Sequence, residues 1–136
     1  AHEAVLARIA RNGLQGQVRH LGFIDFHEIG PMYHAAALLA FPSSFEGFGL
    51  PVLEAMVCGC PVVTSDKMSL AELVHDAALI VEPTDVDELA RAIARLWTDD
   101  ALRAEMIARG RARAAEFTWD KCAALTHAVL AEAARA

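Results

Sequence analysis

Short, almost uninterrupted apolar runs alternate along this chain with segments whose apolar residues recur every three or four positions. Leu38–Pro42, Pro61–Thr64 and Ala78–Val81 are such runs, and runs of this kind predict strands covered on both faces. Val18–Phe23 reads as a further short strand. Glu3–Asn12 spaces its apolar residues as an amphipathic helix closed by Gly13. Phe26–Ala37 has a helical pattern, yet Gly30-Pro31 should break or restart it, because proline lacks an N–H and crowds the preceding turn. Pro51–Cys58 is a predicted helix ended by Gly59, and Leu70–His75 a short one. Asp85–Trp97, Ala101–Glu116 and Trp119–Ala134 predict three helices in a row. Strands alternating with helices point to an α/β fold, a Rossmann-like parallel sheet flanked by helices, with a helical C-terminal segment. The expected organisation is one unit, with an α/β part over 1–98 and helices over 99–136. There is no internal repeat, low-complexity segment or linker.

Composition narrows the function classes. A chain of 136 residues can hold one domain with a real core. Its net charge of −6 argues against a general nucleic-acid binder. Arg109, Arg111 and Arg113 form the one basic cluster, but at i, i+2 and i+4 on a helix they cannot share a face. A solvated face is the expected reading, against a phosphate or membrane patch. No apolar run is long enough to span a bilayer, and the first residues do not form a signal peptide. Cys58 and Cys60 stand too close for the usual zinc or redox spacing. They are expected as buried thiols, Cys122 as packing in the last helix, and all three suit a reducing cytoplasm. The histidines, among them His20, His34 and His75, show no metal spacing. Phe117 and Trp119 read as an anchor for the last helix.

The candidate chemistry lies in Phe41–Glu54, FPSSFEGFGLPVLE. The buried-strand pattern of Ala35–Phe41 runs into a Pro-Ser-Ser turn, a glycine-spaced loop follows, and Pro51 opens a helix. Strand, glycine loop and helix N-terminus form the usual anion pocket of open α/β sheets. Gly47 and Gly49 let backbone N–H groups approach a ligand and adopt positive φ. Pro51 suits the first helical positions, where its missing N–H costs nothing. The helix dipole favours a phosphate there. Glu46 and Glu54, with seven residues between them, flank the pocket. A bare anion would not want two carboxylates, whereas a ligand with phosphates and hydroxyls would. Glu54 has the acceptor oxygens for a vicinal diol, or it complements its own helix dipole. Glu46 accepts from a sugar hydroxyl or faces charge developing at a sugar carbon, or is a solvated loop residue. The chain has no Gly-x-Ser-x-Gly elbow, no P-loop Gly-Lys-Ser/Thr, and no third glycine for a dinucleotide fingerprint.

PSSFEGFGLPVLEAMVCGCPVVTSD closely resembles the donor-site signature of retaining GT-B glycosyltransferases, the group 1 or family 4 set. The resemblance continues upstream through VRHLGFIDFHEIGPMYHAA and downstream through SLAELVHDAALIVEPTDVDELARAIARLWTDDALRAEM and GRARAAEFTWDKCA. It implies that Glu46, in the catalytic position, contacts donor-sugar hydroxyls near the reacting carbon, and that Glu54 binds the nucleotide ribose. It implies sugar and phosphate contacts from the backbone at Gly47, Phe48, Gly49 and Leu50, and a nucleobase wall at Gly22 and Phe23. It implies no metal and no other cofactor, a nucleoside-diphosphate sugar as donor substrate, and helix electrostatics or basic side chains carrying the diphosphate charge. The acceptor, a glycan, lipid or small molecule, stays unassigned. The implied location is cytoplasmic, or peripheral at the inner face of the membrane.

The sequence departs from the family where KMSLAE replaces its usual Gly or Ser pair and proline, with Ala71 in the proline position. Lys67 there is either a substitute cation or an exposed lysine. Length is the larger departure, because a complete GT-B enzyme needs two Rossmann-like domains. The expectation is a fragment of the C-terminal, donor-binding domain without its first two strands, its diphosphate-binding basic residues and its N-terminal partner domain. In the strand order 3-2-1-4-5-6 the absent strands lie at the sheet centre. Val18–Phe23 would then lack a neighbour, and exposed sheet edges invite a homo-oligomer or partner chain. Two function classes follow. One is the donor-binding part of a retaining hexosyltransferase-type enzyme, inactive alone. The other is a catalytically silent fragment or interaction module, with a nucleotide-sugar epimerase as a weaker third reading.

Overall fold

The computed structural model describes residues 2–135. Helices α1 (His2–Arg11) and α2 (Phe26–Ala35) precede strand β1 (Leu39–Phe41). Then α3 (Leu50–Val57), β2 (Val62–Thr64), α4 (Ser69–Val74) and β3 (Leu79–Ile80) alternate. Three helices close the chain: α5 (Val86–Thr98), α6 (Asp100–Ala114) and α7 (Trp119–Ala133). The strands form one parallel sheet in the order β1-β2-β3. Its register pairs Leu39 with Val62 and Phe41 with Thr64, then Val63 with Leu79 and Thr64 with Ile80.

The alternation of β2 side chains divides the core in two. Val62 packs with Val52, Ala55 and Met56 of α3 and Leu70, Leu73 and Val74 of α4. Val63 points to the other face, among Ala92 and Leu96 of α5, Met106 of α6, and Val81 just after β3. Helix α6 reaches both clusters, giving Met106 to one and Ala114 to the other. Its close approach to α3 depends on Gly110, where an added Cβ would stand 3.2 Å from Met56 Cγ. The sheet is thus covered on both faces, as its continuous apolar runs require.

Caps fix the helix starts. Asp25, Asp85, Asp99 and Thr118 each accept from an N–H of the turn that follows, which satisfies donors with no partner inside the helix. Two expectations fail. Helix α2 runs through Gly30-Pro31 unbroken. Its proline deprives the His27 carbonyl of one bond, while the Asp25 cap and the Ala36 N–H, bonded to the Met32 and Tyr33 carbonyls, hold both ends. Val18–Phe23 is not a strand. A strand needs a neighbour for its backbone groups, and among the described residues the three sheet strands pair only with one another. The segment instead turns locally, with Gly22 at φ +70° and its N–H donating to His20 Nδ1 at 3.2 Å.

Candidate functional site

The C-terminal ends of β1 and β2 lead into two adjacent loops, the position where open α/β sheets bind ligands. The first, 42–49, delivers α3. Gly49 caps that helix in the left-handed conformation, φ 99° and ψ 40°. A Cβ there would lie 2.6 Å from Leu70 Cδ2, so both conformation and contact with α4 demand glycine. Gly47 is different. Its φ is not positive, and a Cβ there would meet nothing within 4 Å. The expectation of positive φ at both glycines therefore holds at Gly49 alone.

Val52 and Leu53 both donate to the Gly49 carbonyl, at 3.0 and 3.3 Å, and Pro51 has no N–H. Among the described residues no hydrogen bond engages the N–H groups of Gly47, Phe48, Gly49 or Leu50. These donors stand at the positive end of the α3 dipole.

Three hydroxyls outside Phe41–Glu54 hold the loop in place. Thr64 Oγ1 donates to the Phe41 carbonyl at 2.8 Å, Ser65 Oγ to the Ser43 carbonyl, and Ser69 Oγ to the Glu46 carbonyl at 3.0 Å. Thr64 and Ser65 are fully buried. A buried hydroxyl without a partner costs about 1–3 kcal/mol, so these bonds fix the loop against the end of β2. The sequence signal was available: two hydroxyl residues, Thr64 and Ser65, at the end of an apolar run.

Glu46 is half-buried, with Ser43 Oγ donating to its Oε1 at 3.0 Å. Glu54, on the outward face of α3, is exposed, and the Tyr33 hydroxyl of α2 reaches its Oε2 at 3.5 Å. Burial, then the Glu54 charge, push the Tyr33 hydroxyl above its usual range. Phe48 and Leu50 are about half exposed beside the loop. Phe23 is 96% exposed and Gly22 is exposed, so the proposed nucleobase wall packs against nothing here. The structure therefore brings Glu46, Gly47, Phe48, Gly49, Leu50 and Glu54 onto one loop–helix unit, without Gly22 and Phe23.

The second loop carries Lys67 and Met68. Lys67 is a partly exposed surface lysine, but it is paired: its Nζ lies 2.8 Å from Glu82 and 3.6 Å from Asp66. The hydrogen bond to Glu82 raises the lysine above its usual range, and holds the Glu82 carboxyl below its own. Met68 takes φ +53°, a conformation glycine adopts far more readily. Among the described residues no three His, Cys, Asp or Glu side chains gather as a metal site.

Of the basic cluster on α6, Arg111 is exposed, whereas Arg109 and Arg113 are tethers. Arg109 pairs with Asp76 at 2.9 Å and Glu105 at 2.5 Å, and Arg113 donates to the Leu73 and Glu72 carbonyls of α4. Phe117 does anchor the corner before α7, packing against the core. Trp119 does not, being 85% exposed. Cys60 is buried and Cys58 half-buried, but Cys122 is exposed rather than packed, because no residue of α7 is buried.

The fold, with a glycine-capped helix between two parallel strands, is that of GT-B glycosyltransferases. The group 1 glycosyltransferase family matches residues 3–113, and the chain belongs to it. It is 42% identical to O-antigen chain mannosyltransferase B of Escherichia coli over 118 residues, 87% of this chain and 31% of that protein. Sucrose-phosphate synthase of Thermosynechococcus elongatus superposes with a TM-score of 0.87 at 31% identity, over 96% of this chain and 33% of that one. HepE of Anabaena, solved in complex with UDP and glucose, gives 0.78 at 31% identity, over 84% of this chain and 31% of its own. The chain spans about a third of the length of these relatives. Among the described residues no helix is long and apolar enough to cross a membrane.

Proposed function

We propose that this chain is the donor-binding part of a glycosyltransferase that moves a sugar from a nucleoside diphosphate to an acceptor with retention of anomeric configuration. One observation carries the reading: unbonded N–H groups at residues 47–50, at a helix N-terminus, lie between two carboxylates eight positions apart in sequence. The N–H groups suit the diphosphate and sugar oxygens. Glu54 suits the two ribose hydroxyls. Glu46 suits a donor-sugar hydroxyl, with its charge near the carbon that becomes positive as the diphosphate leaves. No metal enters this scheme, since the helix terminus and backbone donors take up the phosphate charge. HepE, a structural neighbour at 31% identity, was solved with UDP and glucose, which supports a nucleotide-sugar donor.

Calorimetric titration of the folded chain with UDP, GDP and ADP tests the reading. Saturable binding of one nucleotide is expected, weakened by Glu54→Ala by about 1–3 kcal/mol through loss of a charged acceptor. Glu46→Ala should leave the bare nucleotide unaffected and weaken only the nucleotide sugar. Equal nucleotide affinity in wild type and Glu54→Ala would sink the ribose assignment. A second reading, a catalytically silent interaction module, is favoured by the exposed apolar side chains of α7. A folded chain with no nucleotide affinity would favour it over the first.

A further inference from the structure

Behind the loop lies a half-open cleft of about 340 Å³, walled by Phe48, Ser69, Leu73, Arg113 and Phe117. The Phe48 ring meets Phe117 edge to face, with centroids 6.0 Å apart and planes at 80°. Arg113 lies over the Phe117 ring, its guanidinium carbon 4.7 Å from the centroid. Arg113 is itself fixed. Its Nε donates to the Leu73 carbonyl at 2.8 Å, Nη2 to the Glu72 carbonyl at 2.5 Å, and Nη1 pairs with Glu116. Both carbonyls belong to α4, whose Ser69 holds the Glu46 carbonyl and whose Leu70 and Leu73 press on Gly49.

The loop is thus held at Glu46 and at Gly49, with no hydrogen bond at Gly47 or Phe48 between them among the described residues. What fixes that middle is the ring contact. We infer that Phe117, seated by Arg113, is a positioning residue for 47–50, aiming through Phe48 the N–H groups that meet the donor's diphosphate and sugar. Phe117 touches no ligand itself, and the inference rests on the donor-site reading above.

The test combines ¹⁵N relaxation of the full chain with titration of nucleoside diphosphates and their parent nucleosides. Phe117→Ala should lower the order parameters at Gly47, Phe48 and Gly49 and leave Val62 and Val63 unchanged. It should weaken the nucleoside diphosphate roughly threefold to tenfold, the range of an aromatic pair, and leave the nucleoside, held through Glu54, unaffected. Phe117→Tyr, which keeps the ring, should restore both readouts. If Phe117→Ala fails to fold, Phe117→Leu carries the same comparison. Unchanged order parameters at 47–49 overturn the inference, as does an equal loss at Val62 and Val63, which marks general destabilisation. A wild type that binds and a variant that binds equally well overturn the inference alone. A wild type with an ordered loop and no nucleotide affinity overturns the donor reading and the inference together.

Discussion

Strand β2 and helix α7 are both apolar in sequence and opposite in outcome. Val62, Val63 and Thr64 are completely buried. Trp119, Leu125, Val129 and Leu130 of α7 are each more than 60% exposed. β2 lies between two strands and is packed by helices on both faces. α7 has a sound local start, with Thr118 capping it and Lys121 Nζ donating to the Glu116 carbonyl at 3.2 Å, but no residue of it is buried. The difference shows that periodicity and capping suffice to form a helix, whereas burial requires a surface opposite.

Thiol labelling gives the widest expected separation. Burial pushes the Cys60 thiol up to about 11. At pH 8 this cuts its reactive thiolate about a hundredfold relative to an ordinary cysteine, before access is counted. Cys122 should label within the mixing time of a slow assay, and Cys60 only on unfolding. Equal rates would break the comparison. Truncation comes next. Leu96→Ala, at a site with no exposure, should cost about 2–5 kcal/mol in urea unfolding. Leu125→Ala should stay within about 0.5 kcal/mol. A comparable loss at Leu125 would mean that α7 docks in solution.

The smallest effect belongs to the surface pair Lys67–Glu82, whose charges lie on the exposed loops after β2 and β3. Glu82 has its folded value lowered. Its contribution is therefore present above the ordinary carboxylate value of 4.5 and lost as pH falls through the lower folded value. Lys67, with its folded value raised, contributes fully below 10.5 and loses that contribution as pH rises through the higher folded value. Glu82→Gln should lower stability slightly at pH 7 and less in acid, and added salt should shrink the pH 7 difference. A difference undiminished in acid would show that Glu82 acts otherwise than by charge.

The legible parts were those set by local pattern or by the motif. The runs at 38–42, 61–64 and 78–81 contain β1, β2 and β3, and the helices begin and end within two residues of their expected bounds, α2 departing only in running unbroken through Gly30-Pro31. The loop–helix unit carrying Glu46 and Glu54 was legible because strand, glycine and Pro51 are contiguous. What depended on distant residues was not. Val18–Phe23 has strand chemistry, but the pairing that would make it a strand is a property of its neighbours. Trp119 and Cys122 looked like packing residues because their helix is apolar, and the missing quantity was the opposing surface. The hydroxyls of Thr64, Ser65 and Ser69 join segments some twenty residues apart; their place at the end of an apolar run was visible in the sequence, but the carbonyls they bond were not. Pro31 shows that a helix held at both ends tolerates one lost backbone bond.

Those three hydroxyls, together with the Phe48–Phe117 contact, also bear on how a ligand would arrive. Ordering a flexible residue costs about 1–2 kcal/mol of backbone entropy, and a floppy loop over 42–49 would charge that to every binding event. Here the ordering is complete when the chain folds. A ligand at residues 46–50 would meet fixed donors, so association would need no loop closure and affinity would differ among ligands mainly through dissociation.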